Sequence, residues 1–362
     1  MSLAPKVVKK RLASRDQVKT DINYLLADFF TKNIARSLQF DENYSYLWQT
    51  IENLSIAGGK RLRPYLLVLA YQGYGGDGYK SVLPVAAAQE LLHLSLLIHD
   101  DIIDNDYIRY GQDNISGSMR KKYQQLGSTT DAAHYGDGAA ILAGDLLISG
   151  AHNLIVSSEL SDTQKLLGLT CLEEGIFTVG GGELLDMESV LYDFDDTNTL
   201  KIAELKTAGY SCVVPLITGA SLAGAAEGEI TLLRKLALAL GIGFQLADDL
   251  LGIYGDEAVT GKSNLGDIRE GKRTYLMSQA LSRSSEKDRT VLRDLLGNPQ
   301  VNQAQAEKIR AILEQSGAKA ATHQKIREYA SEANDLLQQL KLSTAAKQAL
   351  QLFIKNATER SL

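Results

Sequence analysis

The 362-residue chain reads as an all-α protein built as a single-domain bundle of packed helices. Three observations point there. Only five prolines and 7% aromatic residues, beside many Ala and Leu, favour helices over strands. Apolar residues recur at spacings of three and four, as at Val18, Ile22, Leu25, Leu26 and Phe29. No proline-rich linker or change of composition divides the chain. The domain is therefore expected to run over residues 1–362, with its motifs within about 50–280 and closing helices over 275–356.

Composition also excludes some functions. The 38 basic and 44 acidic residues give a net charge of −6, which supports no nucleic-acid partner and no general anion-binding surface. Any anion site must be local. Cys171 and Cys212, both in small or apolar surroundings, read as buried free thiols. No apolar run approaches the ~18 residues that span a bilayer, and no signal peptide opens the chain. The expectation is a cytoplasmic protein without a membrane span.

Taken in order, residues 5–45 carry helical periodicity and residues 47–54 a further short helix. Gly58-Gly59-Lys60-Arg61-Leu62-Arg63-Pro64 follows. Its glycines let the backbone turn, and Pro64 suits the first turn of a helix running to Gln72. Three cations at a helix start suit a phosphate-bearing ligand, although a solvated basic turn would look the same. After a glycine-rich turn over 73–78 comes the central stretch, Glu90-Leu-Leu-His-Leu-Ser-Leu-Leu-Ile-His-Asp-Asp-Ile-Ile-Asp-Asn-Asp106. It starts as a helix apolar on every side, which predicts burial, and it ends in carboxylates. Asp100 and Asp104 are four apart, and Asp101 and Asp104 three apart, so they crowd one face. Their mutual repulsion, and the macrodipole at a helix carboxyl end, both call for a multivalent cation. Oxygen ligands with room for water and phosphate suit Mg²⁺. The plain alternative is a solvated acidic face.

Arg109-Tyr110-Gly111 closes the acidic segment, and residues 112–133 read as an exposed loop or lid with a short helix around 119–125. A helix rich in small residues opens at Gly136 and runs through Asp145. Another covers 163–191, through Gly180-Gly-Gly-Glu-Leu-Leu-Asp186. Residues 198–223 carry Lys206 and Thr207. A lysine heading an apolar helix is ordinarily a snorkelling surface residue, but this pair is a candidate. In the second acidic knot Gln245, Asp248 and Asp249 lie at i, i+3 and i+4 on one face. The loop over 260–274 adds the cations Lys262 and Lys272. From Tyr275 onward three or four amphipathic helices are expected.

Two buried helices ending in aspartate pairs, with two separate basic loops, describe a site for two phosphorylated ligands. Gly-Gly-Lys-Arg-x-Arg-Pro, His-x5-His-Asp-Asp-x-x-Asp, Leu-Ala-Gly-Asp, Lys-Thr and Phe-Gln-x-x-Asp-Asp occur in that order. In these motifs the sequence resembles the trans-isoprenyl diphosphate synthases of the polyprenyl synthetase family, and in particular geranylgeranyl diphosphate synthases. The resemblance implies the isoprenoid synthase fold, with helices around a deep apolar pocket, and a homodimer. It implies an Mg-dependent prenyltransferase that joins isopentenyl diphosphate head-to-tail to an allylic diphosphate. Asp100, Asp104 and Asp248 would hold a three-Mg²⁺ cluster, with Asp101 in support. Lys60, Arg63 and His93 would bind isopentenyl diphosphate. Arg109, Lys206, Lys262 and Lys272 would meet the allylic diphosphate, beside Thr207 and Gln245.

The family usually carries a second arginine where this chain has Tyr110, and a third acid where it has Gly252; Asp267 in the following loop is a substitute carboxylate. The resemblance also implies that product length depends on Ser95, five residues before the first aspartate, with Leu96 beside it and Leu92 one turn deeper. A small residue there leaves the pocket open, which favours geranylgeranyl diphosphate or a longer product over farnesyl diphosphate. A class I terpene cyclase shares the fold but does not need the Gly-Gly-Lys-Arg loop, and its second metal motif normally has Ser or Thr and Glu. A silent subunit of a heteromeric synthase would be expected to lose more of its aspartates.

Overall fold

The computed structural model describes residues 12–125, 131–191, 196–255 and 264–359. Apart from one hairpin, the regular elements among them are helices. Helix α1 (Arg15–Leu38) starts where the Ser14 hydroxyl accepts from the Gln17 amide, and α2 (Glu42–Ala57) where Asp41 caps the Asn43 and Tyr44 amides. Helix α3 (Leu62–Gly73) follows the Gly58-Gly59 turn, and α4 (Leu83–Ile103) is entered through Pro84 in its first turn. The hairpin pairs β1 (Ile108–Arg109) with β2 (Gln112–Asp113). Its two-residue turn, Tyr110-Gly111, has positive φ at both positions (55° and 75°), as the twist-matched turn of a tight hairpin requires. Then come α5 (Ile115–Gln125), α6 (Ala132–Val156) and α7 (Asp162–Ser189), the last begun by a Ser161/Gln164 capping box.

Helix α8 (Asp196–Ile202) passes without a break into a π-helical stretch, Ala203–Val213, and on into α9 (Val214–Leu222). Pro215 lies just beyond the widened turns. It cannot donate to the carbonyl four residues back, and its ring crowds that carbonyl. Helix α10 (Glu227–Tyr254) carries the second acidic knot, and a short helix Gly266–Glu270 precedes five more helices: Tyr275–Arg283, Glu286–Leu295, Gln303–Gln315, Ala318–Gln339 and Thr344–Thr358. The three or four helices expected there are thus five, because Ser285 and Asn302 cap new starts in what reads as one amphipathic run.

Helix α4 lies at the centre, packed mainly on α6, while α10 packs on Ala318–Gln339 and on the π-helical stretch. Burial on every side of α4 holds: Val85, Ala86, Ala87, Ala88, Leu91, Leu92, Ser95 and Ile98 are all buried. Segment 112–133 differs from expectation. Of its described residues, Ile115, Ser116, Gly117 and Met119 are buried and α5 packs along α6, so α5 is part of the body and not an exposed loop.

The reading that no segment could span a bilayer also needs correction. By length and composition, Tyr79–Ile103, Ala132–Val156 and Glu227–Tyr254 are each long and apolar enough to cross one. Isolated His, Ser, Gly and Gln interrupt the runs without making the helices polar. In the first and last, about seven-tenths of the most apolar window is buried inside the protein, which accounts for that composition without a membrane. Cys171 and Cys212 are free.

Candidate active site

The carboxyl end of α4 and the π-helical stretch face each other, and the charged residues between them are paired. Helix α4 ends at Ile103 with Asp104 as its cap, so Asp100, Asp101 and Asp104 sit at the negative end of its dipole. Arg109, delivered by β1, donates to Asp101 Oδ1 through Nε at 2.7 Å and Nη2 at 2.6 Å, and lies 3.7 Å from Asp100. Lys206 Nζ lies 3.3 Å from Asp100, 3.0 Å from Glu183 and 2.6 Å from Asp186. Burial alone would lower the Lys206 ammonium, but Asp186, Asp100 and Glu183 outweigh it and hold the group above its ordinary value. Lys272 lies 2.7 Å from Glu270, 3.7 Å from Asp267 and 3.8 Å from Asp104.

Glu183 and Asp186 had no role in the sequence reading. The signal was present, since residues three apart on α7 share a face. Backbone approach positions them. A side chain at Gly182 would overlap the Lys206 backbone, so only glycine lets α7 come this close to the π-helical stretch.

The second knot is arranged differently. Thr207 Oγ1 donates to Gln245 Oε1 at 2.6 Å, and Gln245 Nε2 donates to Asp249 Oδ1 at 2.7 Å. Asp249 is buried, which pushes its carboxyl well up, whereas Asp248 is exposed. Any Cβ placed at Gly252 would overlap Asp267 Oδ2. The Asp267 carboxylate therefore fills the space that a side chain at 252 would need.

Across α4 lies the other basic group. Arg63 Nη2 donates to the Tyr210 hydroxyl at 2.9 Å and to Ser211 Oγ at 2.7 Å, with its guanidinium 4.6 Å from the Tyr210 ring centre. The Tyr210 hydroxyl is 3.4 Å from His93 Nδ1. Burial, then Arg63 and Arg109, hold His93 well below its ordinary value, so its ring is neutral at pH 7. Lys60 is exposed on the turn. Arg61 is not available as a ligand: it is buried and bonds Asn23, Glu90 and the Ser55 carbonyl at 2.8–2.9 Å. Lys262 lies outside the described residues.

Below Asp100, Ser95 is fully buried and its hydroxyl has no partner; Leu92 is 2% exposed and Leu96 half-buried. Gly175 on α7 faces Leu92, and one turn above Ser95 the His99 ring lies against Gly144 of the Leu-Ala-Gly-Asp motif. A Cβ at Gly144 would overlap that ring.

Among the described residues no three acidic, His or Cys side chains form a ready metal cage. Hard cations bound through diphosphate do not need one, because phosphate and water oxygens complete the shell around one or two carboxylates. The donor set suits such an ion. Burial first, then Asp100 and Glu270, push Asp104 up to about 7 against the pull of Lys272 and Lys206. The folded protein therefore holds a proton that the unfolded chain releases near pH 4. Its contribution to stability is present below pH ~4 and is lost as the pH rises to ~7. The metal-free protein should be less stable at pH 7.5 than at pH 5, by on the order of 1–4 kcal/mol from this group, and so melt at lower temperature. Asp104→Asn should flatten that slope in melting curves across this range, and an unchanged slope would mean that Asp104 ionises normally.

The profile of the polyprenyl synthetase family matches residues 45–315. A geranylfarnesyl diphosphate synthase of Aeropyrum pernix is 32% identical over 310 residues, covering 84% of this chain and 91% of the relative. A short chain isoprenyl diphosphate synthase of Methanocaldococcus jannaschii is 34% identical over 299 residues, covering 79% and 84%. Among solved structures, a geranylgeranyl pyrophosphate synthase of Corynebacterium glutamicum, in complex with isoprenyl diphosphate and magnesium, superposes with a TM-score of 0.91 at 28% identity. The match covers 96% of this chain and 100% of that one. With its fold shared throughout, the chain belongs to the polyprenyl synthetase family and is a trans-prenyltransferase.

Proposed function

We propose that the protein condenses isopentenyl diphosphate head-to-tail with an allylic diphosphate and makes a trans-prenyl diphosphate of twenty carbons or more. The observation that carries this is the pairing of two separate cationic groups around one buried helix. Arg109, Lys206 and Lys272 stand among the carboxylates at the end of α4, while Arg63 and neutral His93 meet through Tyr210.

Asp100, Asp104 and Asp248 would hold Mg²⁺, in the three-ion cluster that the family resemblance implies. When bound, Mg²⁺ neutralises diphosphate oxygens and stabilises the charge on the departing group. Arg109, Lys206, Lys272 and Lys262 bind the allylic diphosphate; Lys206 and Arg109 can turn from carboxylates to phosphate without leaving their places. Lys60, Arg63 and His93 bind isopentenyl diphosphate, His93 through a neutral ring and Arg63 through charge-assisted hydrogen bonds. Thr207 and Gln245 tie the π-helical stretch to α10 and so fix where Lys206 stands. The apolar wall below Asp100 keeps water from the allylic cation until the isopentenyl double bond captures it. The departing diphosphate takes the proton that is then lost.

Exposed Leu166, Phe177 and Leu184 share one face of α7 by their helical spacing, and an apolar face of that kind supports a homodimer. Two free cysteines agree with a reducing, cytoplasmic setting.

Purified protein with Mg²⁺, labelled isopentenyl diphosphate and an allylic diphosphate should give an elongated prenyl diphosphate; a cyclised hydrocarbon, or no turnover, would overturn the proposal. Arg63→Ala and His93→Ala should each raise KM for isopentenyl diphosphate by about tenfold or more, since a hydrogen bond to a charged group is worth about 1.5–3 kcal/mol. KM for the allylic substrate should move far less. Equal increases in both constants would show that the two sites are not separate.

A further inference from the structure

The hairpin joins the two diphosphate regions. Arg109 at the end of β1 grips Asp101 and reaches Asp100, and the next residue, Tyr110, turns the other way. The Tyr110 ring lies directly on Gly58: a Cβ there would come within 2.5–2.7 Å of its Cζ, Cε2 and Cε1. With Gly58, Gly59, Glu90 and His93, Tyr110 lines one cavity between the turn and α4. A non-glycine residue at φ 55° is disfavoured, and a bulky one more so. Its persistence calls for a compensating contact, and the ring stacked on Gly58 is that contact. In the sequence, Tyr110 reads only as an absent cation.

We propose that Tyr110 is a positioning residue for isopentenyl diphosphate. Its ring holds the Gly58-Gly59 turn against α4, fixes the direction in which Lys60 and Arg63 present their charges, and links that turn to the Arg109 grip on the acidic end of α4. Packing at this position replaces charge. The inference rests on the two-site reading given under Proposed function.

The test is steady-state kinetics on the intact protein, each diphosphate varied in turn. Tyr110→Ala should raise KM for isopentenyl diphosphate tenfold or more and leave that for the allylic diphosphate within about threefold, while Tyr110→Phe, which keeps the ring, should restore the parent value. Gly58 has extended backbone (φ −153°, ψ −171°) that alanine adopts freely, so Gly58→Ala acts by expelling the ring. It should match Tyr110→Ala, and should add little when combined with it. This non-additivity separates a ring–turn contact from two unrelated losses of structure. The inference is overturned if Tyr110→Ala stays within twofold of the parent, if both constants rise together, if Phe fails to rescue, or if the two substitutions add in full. A parent protein that does not elongate at all would instead overturn the proposed function.

Discussion

Asp100→Ala should lower turnover by three or more orders of magnitude with the fold intact, and Asp248→Ala should do nearly the same. A thousandfold loss corresponds to about 4 kcal/mol of transition-state stabilisation, a reasonable amount for one ligand to the cation that meets the leaving diphosphate. Repulsion among the aspartates suggests that a metal-free variant would gain stability. The contacts argue for a smaller change. Asp100 is 3.3 Å from Lys206 and 3.7 Å from Arg109, but Lys206 keeps Glu183 and Asp186, and Arg109 keeps Asp101, when Asp100 is gone. Repulsion relieved and attraction lost roughly cancel, so unfolding in urea without metal should shift by less than about 1 kcal/mol. Near-parental rates for Asp100→Ala at limiting Mg²⁺ would remove the central assignment.

Ser95→Phe should shorten the product to fifteen carbons or fewer. Ser95 lies five residues before Asp100 on one helix, about 7.5 Å deeper along the axis. It is fully buried, and no partner binds its hydroxyl. A phenyl ring there blocks the path that a growing chain would take between α4 and its neighbours. Overpacking costs about 1–3 kcal/mol, which a protein of this size can absorb, so the rate of the first condensation should be largely kept. Leu92→Ala is the opposite control. Leu92 is one turn deeper and meets Gly175 of α7, and its truncation should lengthen the product. Chromatography of the dephosphorylated products reads both. An unchanged product from Ser95→Phe would place the floor on a facing helix.

The central helix and both acidic knots were legible because burial and like-charge crowding leave a local mark: apolar residues on all sides of one helix, then aspartates three and four apart. The Gly-Gly turn and its cations were legible for the same reason. What escaped depends on partners distant in sequence. Glu183 and Asp186 become site residues only because Gly182 admits the π-helical stretch. The widened turns of that stretch have no periodic signature, and Arg61 is indistinguishable by type from Arg63 until its guanidinium is seen among Asn23, Ser55 and Glu90. Segment 112–133 looked exposed because it is mostly polar, yet Ile115 and Met119 are enough to bury one face of its short helix α5.

The buried Arg61–Glu90 pair also bears on how a diphosphate finds its site. Of the three cations in the Gly-Gly turn, one is neutralised inside the fold, and His93 beside it carries no charge. An approaching anion thus meets at most two of that turn's three charges, on a protein whose net charge is −6. Long-range steering is correspondingly weak. Encounter with isopentenyl diphosphate is left to ordinary diffusion, its association rate should vary little with ionic strength, and discrimination comes after contact, from hydrogen bonds made at close range.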